Sequence, residues 1–141
     1  MAKSCSKSSK TSKPKSTEWT AGRMKAFITS TLRGGFRRYP PKYETLKEAL
    51  WGKKLNPKTG RQSLHYTCND CKREFPAKEV NVDHVLPVVD PEKGFENWDV
   101  FINRLFCGKD NLQVLCTKCH DIKTKLEIGD RKDGRKKRNN G

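Results

Sequence analysis

Two short cysteine pairs, Cys68-x2-Cys71 and Cys116-x2-Cys119, constrain this chain more than any other feature. Two residues between partners bring both sulfurs of a pair onto one ion, so two such knuckles supply the four thiolates of a tetrahedral zinc site. A closed four-thiolate zinc leaves no position open for water, so it holds the fold and does no catalysis. A secreted disulfide framework is the competing reading, but it does not need this spacing and usually comes with a signal peptide. The stretch Met1 to Thr17 is Lys and Ser without the apolar core of such a signal, and no apolar run approaches the ~20 residues that span a bilayer. A reducing, cytoplasmic location is the expectation. Cys5 and Cys107 are left over and read as incidental thiols.

Charge points to the partner. The 141 residues carry 31 Lys and Arg against 16 Asp and Glu, a formal net charge of +15. Residues 1–17 hold five Lys and no acid, and residues 130–141 hold six basic residues and two Asp. Both ends lack the apolar surface that offsets the entropy of ordering, so they read as disordered basic arms. The remaining excess lies in the centre, and a positive charge spread over the whole chain favours a polyanionic partner such as nucleic acid.

Residues 18–62 read as a helical N-terminal extension. Met24, Phe27, Ile28, Thr31 and Leu32 recur at helical spacing between candidate caps at Ser16 or Thr17 and the Gly34-Gly35 stop, which predicts a helix over about 18–33. Tyr39-Pro40-Pro41 ends any continuation, and Tyr43, Leu46 and Leu50 mark a second helix that stops near Gly52. Trp19, Phe36, Tyr39 and Trp51 are expected in the core. Arg23, Arg33, Arg37, Arg38 and Lys42 form either a solvated face or a contact surface for a DNA backbone. Leu55 to Arg61 has turn chemistry and joins the extension to the cysteine-bearing domain over 63–129, in which His65 is expected as an exposed strand residue.

Between the knuckles, alternating Val residues in Val80-Asn81-Val82-Asp83-His84-Val85-Leu86-Pro87 predict a strand that ends in an acid beside an imidazole. Asn111-Leu112-Gln113-Val114-Leu115-Cys116 alternates again, and Thr117 to Glu127 reads as a helix. Cys119 and His120 are neighbours on that helix, separated by about 100°, so one can face zinc while the other faces a cleft that also takes Lys123 and Thr124. Val89 to Asp110 is an insertion whose spaced aromatic residues predict a short helix packed on the motif.

The order strand, strand, helix, with Asp83-His84, Asn111 and His120 at these places, resembles the HNH endonuclease family and its ββα-metal motif. The nine-residue offset from Asn111 to His120, the run Leu115-Cys116-Thr117-Lys118-Cys119-His120 and the following Lys123-Thr124 are similar to the zinc-stapled branch found in small bacteriophage HNH proteins. The resemblance covers about residues 64–127. It implies an α+β fold, a small ββα-metal core with a structural four-cysteine zinc site, preceded by two N-terminal helices. His84 and Asn111 are 27 positions apart, more than in the compact core of the family, which is the insertion's doing.

Phosphodiester hydrolysis needs a base for water, neutralisation of the non-bridging oxygens and stabilisation of the departing oxygen. Neutral His84 suits the first. Asp83 and His120 suit a divalent ion with open positions, Mg²⁺, Mn²⁺ or Ni²⁺. The resemblance implies that Asn111 hydrogen-bonds the loop bearing His84, and Lys123, Arg33, Arg37 and Arg38 are the expected phosphate contacts. It further implies double-stranded DNA as substrate, with nicking and double-strand cleavage both open, and a place among phage genome-processing or packaging proteins in a bacterial host. Adjacent strand residues point to opposite faces, so the strand must break or twist for Asp83 and His84 to serve one cleft. The recombination endonuclease VII group fits less closely, because it places Asn after the last Cys, where this chain has His120. A zinc-ribbon nucleic-acid-binding protein without catalysis explains the charge and the cysteines but leaves Asp83, His84, Asn111 and His120 without a role.

Overall fold

The computed structural model describes residues 19–141. The basic arm expected over 1–17, with Cys5, lies outside the described residues. The described chain is α+β, with two small antiparallel sheets and four helices. Helix α1 (Ala21–Gly35) starts at Thr20, whose side chain accepts from the Arg23 N–H, rather than at Ser16 or Thr17. A 3₁₀ turn (Phe36–Arg38) leads to α2 (Pro40–Glu48), where Pro40 opens the helix because its missing N–H costs nothing in a first turn.

Strands β1 (Leu50–Asn56) and β2 (Arg61–Thr67) form a hairpin where the sequence suggested a helix end and a linker. The turn chemistry read from Leu55 to Arg61 is the hairpin turn itself: Asn56 Oδ1 accepts from the Lys58 N–H, and Gly60 closes the turn at φ 67°. The expected domain boundary at 62/63 therefore falls inside β2. A short β3 (Glu74–Pro76) completes a three-stranded sheet with β2 in the middle. Its central position buries His65 to 3% exposure, contrary to the expected exposed strand residue. The His65 Nδ1–H donates to the Ser63 carbonyl at 2.9 Å.

The second sheet pairs β4 (Val80–His84) with β5 (Leu112–Cys116), register Val80 to Cys116 and His84 to Leu112. The insertion between them carries α3 (Trp98–Leu105), whose inner face buries Phe101 and Leu105. These pack with Val88 and, from the N-terminal extension, Leu32 and Phe36. Trp19 and Trp51, expected in the core, are about half exposed at 55% and 53%. Phe36 and Tyr39 are partly buried: the Tyr39 hydroxyl reaches the Phe106 and Cys107 carbonyls, 3.0 Å from each, and holds the end of α3 against α2.

Helix α4 runs from Thr117 to Asn139. The tail expected as disordered from residue 130 is its second half, and Gly129 does not stop it. The physical reason is a close approach. Gly134 is buried, and a Cβ there would lie 2.1 Å from the Pro91 carbonyl oxygen. Glycine lets the helix lie directly on the Asp90–Gly94 turn. Arg138 then donates to the Pro91 and Glu92 carbonyls, and Lys137 pairs with Glu92 at 3.5 Å. Lys136, Lys137 and Arg138 in the last turn also suit the negative end of the helix dipole. Among the described residues, no helix is long and apolar enough to cross a membrane.

Two helix glycines should therefore respond with opposite signs. Gly129→Ala meets nothing within 4 Å, so the better helix propensity of Ala should stabilise the fold by up to ~1 kcal/mol. Gly134→Ala forces the helix off the turn and should cost about 1–3 kcal/mol, with faster amide exchange over 130–139. Thermal unfolding followed by circular dichroism checks both signs.

Candidate active site and metal centre

The two knuckles come together in space. One ligand sulfur from each of Cys68, Cys71, Cys116 and Cys119 lies within 4.8 Å of the others, and Cys71 and Cys116 are 4.0 Å apart. Zinc–sulfur bonds of ~2.3 Å on a tetrahedron place sulfurs ~3.8 Å apart, so the set is close to the size of one zinc. Local backbone builds it. Lys72 at φ 60° lets the first knuckle fold back so that the Cys68 N–H donates to the Arg73 carbonyl at 2.9 Å. Cys68 Sγ accepts from the Cys116 N–H at 3.3 Å, and Cys116 Sγ caps α4 by accepting from the Cys119 N–H at 3.5 Å. The Arg73 backbone N–H lowers the Cys71 thiol to about 7 against the opposing effect of burial, while its contact with Cys116 and then burial push Cys119 up.

The second half of the site lies along the neighbouring face of α4. Asp83, one residue before the end of β4, faces this helix: its Oδ1 is 4.0 Å from His120 Nε2, and its Oδ2 is 2.8 Å from the Lys123 ammonium. The latter oxygen is buried and makes no aligned hydrogen bond, so charge alone holds it. Two ligands at ~2.1 Å on one ion can be no more than ~4.2 Å apart, so at 4.0 Å Asp83 and His120 stand at the outer limit for sharing a single divalent cation. Lys123 also pairs with Glu127 and donates to the His84 carbonyl at 2.9 Å. Burial opposes its charge, but the contacts with Asp83 and Glu127 outweigh that and hold the ammonium above its ordinary pKa. The expected phosphate contact at Lys123 is thus replaced in this structure by three protein acceptors.

His84 is the last residue of β4, and the strand stops there, so Asp83 and His84 line one cleft of about 400 Å³ although they are neighbours. Its Nε2–H donates to the Leu105 carbonyl at the end of α3, at 2.8 Å, and Phe36 lies against the ring at 4.9 Å between centroids. In the neutral imidazole this leaves Nδ1 as the acceptor, and Nδ1 has no partner among the described residues. Asn111 sits in the turn just before β5. Its Oδ1 accepts from the Leu86 N–H at 3.0 Å and its own carbonyl from the Val85 N–H at 2.9 Å, so it grips the loop that leaves His84 from two sides.

Arg33 reaches the cleft from the last turn of α1, while Arg37 and Arg38 lie exposed on the following 3₁₀ turn. Glu127 and Arg131 also line the cleft and were not among the residues picked out from the sequence. Their signal was the spacing from Lys123, three turns of one helix face, which is visible only if the helix continues through Gly129. Phe36 and the Leu105 carbonyl carried no sequence signal, because they meet His84 only through the fold.

An antiparallel pair followed by a helix, stapled by four cysteines, fits a small ββα-metal fold. A 64-residue stretch is 36% identical to a protein of Lactococcus phage SK1 named "Probable HNH endonuclease", covering 45% of this chain and 60% of that protein. The similarity supports the HNH resemblance. The chain thus spans about 60% of the length of that relative. No family model matches the chain, and no solved structure matches it.

Metal analysis of the purified protein is expected to find one zinc per chain bound by the cysteines. Structural zinc is worth ~10–16 kcal/mol in small finger peptides, comparable to the stability of a whole domain. Cys68→Ser or Cys116→Ser should therefore abolish cooperative thermal unfolding. Zinc-free protein that melts like the wild type would contradict the assignment.

Proposed function

We propose that this chain is a metal-dependent HNH-type endonuclease that hydrolyses phosphodiester bonds of double-stranded DNA. The observation that carries the reading is that Asp83 lines one cleft with His84 and also lies 4.0 Å from His120, while Asn111 holds the loop that leaves His84. A zinc-ribbon binding protein requires only the cysteines and the charge and gives no reason for this arrangement.

In this reading His84 Nδ1 takes a proton from the attacking water as the water oxygen bonds to phosphorus and the bond to the leaving oxygen breaks. The Leu105 carbonyl, accepting from Nε2–H, then stabilises the imidazolium that forms. Asp83 and His120 would hold a divalent cation of the Mg²⁺, Mn²⁺ or Ni²⁺ class, which when bound would supply Lewis-acid neutralisation of the phosphate and of the leaving oxygen. Asn111 is a positioning residue: it fixes the Val85-Leu86 backbone and so aims His84. Arg33, Arg37 and Arg38 contribute phosphate contacts. The nuclease unit comprises residues 63–129 together with the rest of α4, and the extension from α1 supplies one wall. Action in phage genome processing or packaging, in the cytoplasm of a bacterial host, follows from the resemblance and the phage relative.

The test is cleavage of supercoiled plasmid with Mg²⁺ or Mn²⁺. His84→Ala should fold, bind DNA and keep zinc, yet cut about 10²–10⁴-fold more slowly than wild type. Asn111→Ala should also lose activity, and added divalent metal should not restore it. Wild-type cleavage by His84→Ala in nuclease-free preparations, or no cleavage by wild type with either metal, would leave the zinc-ribbon reading instead.

A further inference from the structure

Two cations line the cleft, Arg33, named above only as one of several phosphate contacts, and Arg131, which the reaction just described does not use. Arg33 enters from the last turn of α1, and Arg131 from α4, one turn beyond Glu127. The other charges there are matched within the protein, since Lys123 is shared by Asp83 and Glu127. Neither arginine has a carboxylate partner among the described residues. Arg131 Nε donates to the Glu127 backbone carbonyl of its own helix at 3.3 Å, and the Arg33 guanidinium lies 5.7 Å over the Phe101 ring. Partial burial, and then the charge of Arg131, lower the pKa of Arg33. The fold thus lines one cleft with two like charges and gives neither an ion pair with a carboxylate among the described residues. It also fixes their positions. Arg131 lies just before Gly134, where α4 is seated on the Asp90–Gly94 turn, and Arg33 is set against α3 through Phe101.

Such an arrangement is completed by an anion. A guanidinium presents a planar fork of donors that matches two oxygens of a phosphate, and two guanidinium side chains lining one cleft suit one tetrahedral anion better than a carboxylate. We propose that Arg33 and Arg131 together grip a single phosphate of the nucleic-acid backbone at the mouth of the cleft, so that the C-terminal half of α4 is part of the active site. The choice of nucleic acid as the source of that phosphate rests on the nuclease reading above. The clamp joins α1, which precedes the ββα unit, to the C-terminal half of that unit's own helix α4, and so ties substrate engagement to both.

The decisive measurement is equilibrium binding of a fluorescent DNA duplex to zinc-loaded protein, by anisotropy, without Mg²⁺ or Mn²⁺ and over a range of salt. Arg33→Ala and Arg131→Ala should each weaken binding by about 10-fold, the scale of one charged hydrogen-bonding contact. Because both hold the same phosphate, the double variant should bind little worse than either single one. Its slope of log affinity against log salt should be shallower by ~1 rather than the ~2 lost with two separate phosphates. Arg131→Lys, which keeps the charge but not the fork, should stay weaker than wild type. Inorganic phosphate should compete at lower concentration against the wild type than against the double variant. Independent losses with a slope change of ~2, full rescue by Lys, or wild-type binding by both single variants would overturn the clamp. Cleavage is not read here. A wild type that binds through both arginines but never cuts would reject the nuclease reading and leave the clamp standing.

Discussion

The four-thiolate cluster is the constraint on which the rest depends. Cys68 and Cys71 lie between β2 and β3, and Cys116 and Cys119 lie where β5 becomes α4. Drawing those four sulfurs together sets the three-stranded sheet against the two-stranded one and fixes the direction in which α4 leaves the second sheet. With few large side chains fully buried, Phe101 and Leu105 among them, the protein has a thin apolar core. A metal ion held by the four cysteines would supply what such a core lacks.

Helix α4 passes that constraint on to the chemistry. Cys119 faces the zinc side, and His120, Lys123, Glu127 and Arg131 follow at spacings that keep them along the neighbouring face. The same face later carries Gly134 onto the Asp90–Gly94 turn. One helix therefore connects the staple, the Asp83 partner, the rim of the cleft and the surface of the insertion. Nothing in it needs to bend. The N-terminal extension closes the arrangement from the other side, through Phe36 against His84 and Tyr39 against the end of α3.

Much of this was legible in the sequence where covalent spacing or strict periodicity carried the information. The knuckles are legible because two intervening residues allow one geometry, and β4 and β5 because Val80, Val82, Leu112 and Val114 alternate. The hairpin was not, because Lys53, Lys54 and Leu55 break the alternation and the bulge at Leu50–Gly52 shifts the register. His65 reads as an exposed position until β2 is known to be the middle strand. The length of α4 was hidden because residues 130–141 carry no apolar stripe and because two glycines, Gly129 and Gly134, interrupt the helical pattern. One of them is tolerated at the surface, and the other is required by contact with Pro91. At the site, Asp83, His84, Asn111 and His120 were named by residue type and order. The Leu105 carbonyl, Phe36 and Arg131 were not, because their roles arise from a backbone atom, a ring contact and a helix continuation.

The central claim is that α4 carries a zinc side and a separate divalent-cation side. Calorimetric titration of Mn²⁺ into zinc-loaded protein tests it most directly, read beside the same titration of zinc-loaded His120→Ala. One Mn²⁺ per chain in the wild type, with binding lost in His120→Ala while its zinc content stays at one per chain, is the result expected. Absence of Mn²⁺ binding, or binding that His120→Ala leaves unchanged, would contradict it.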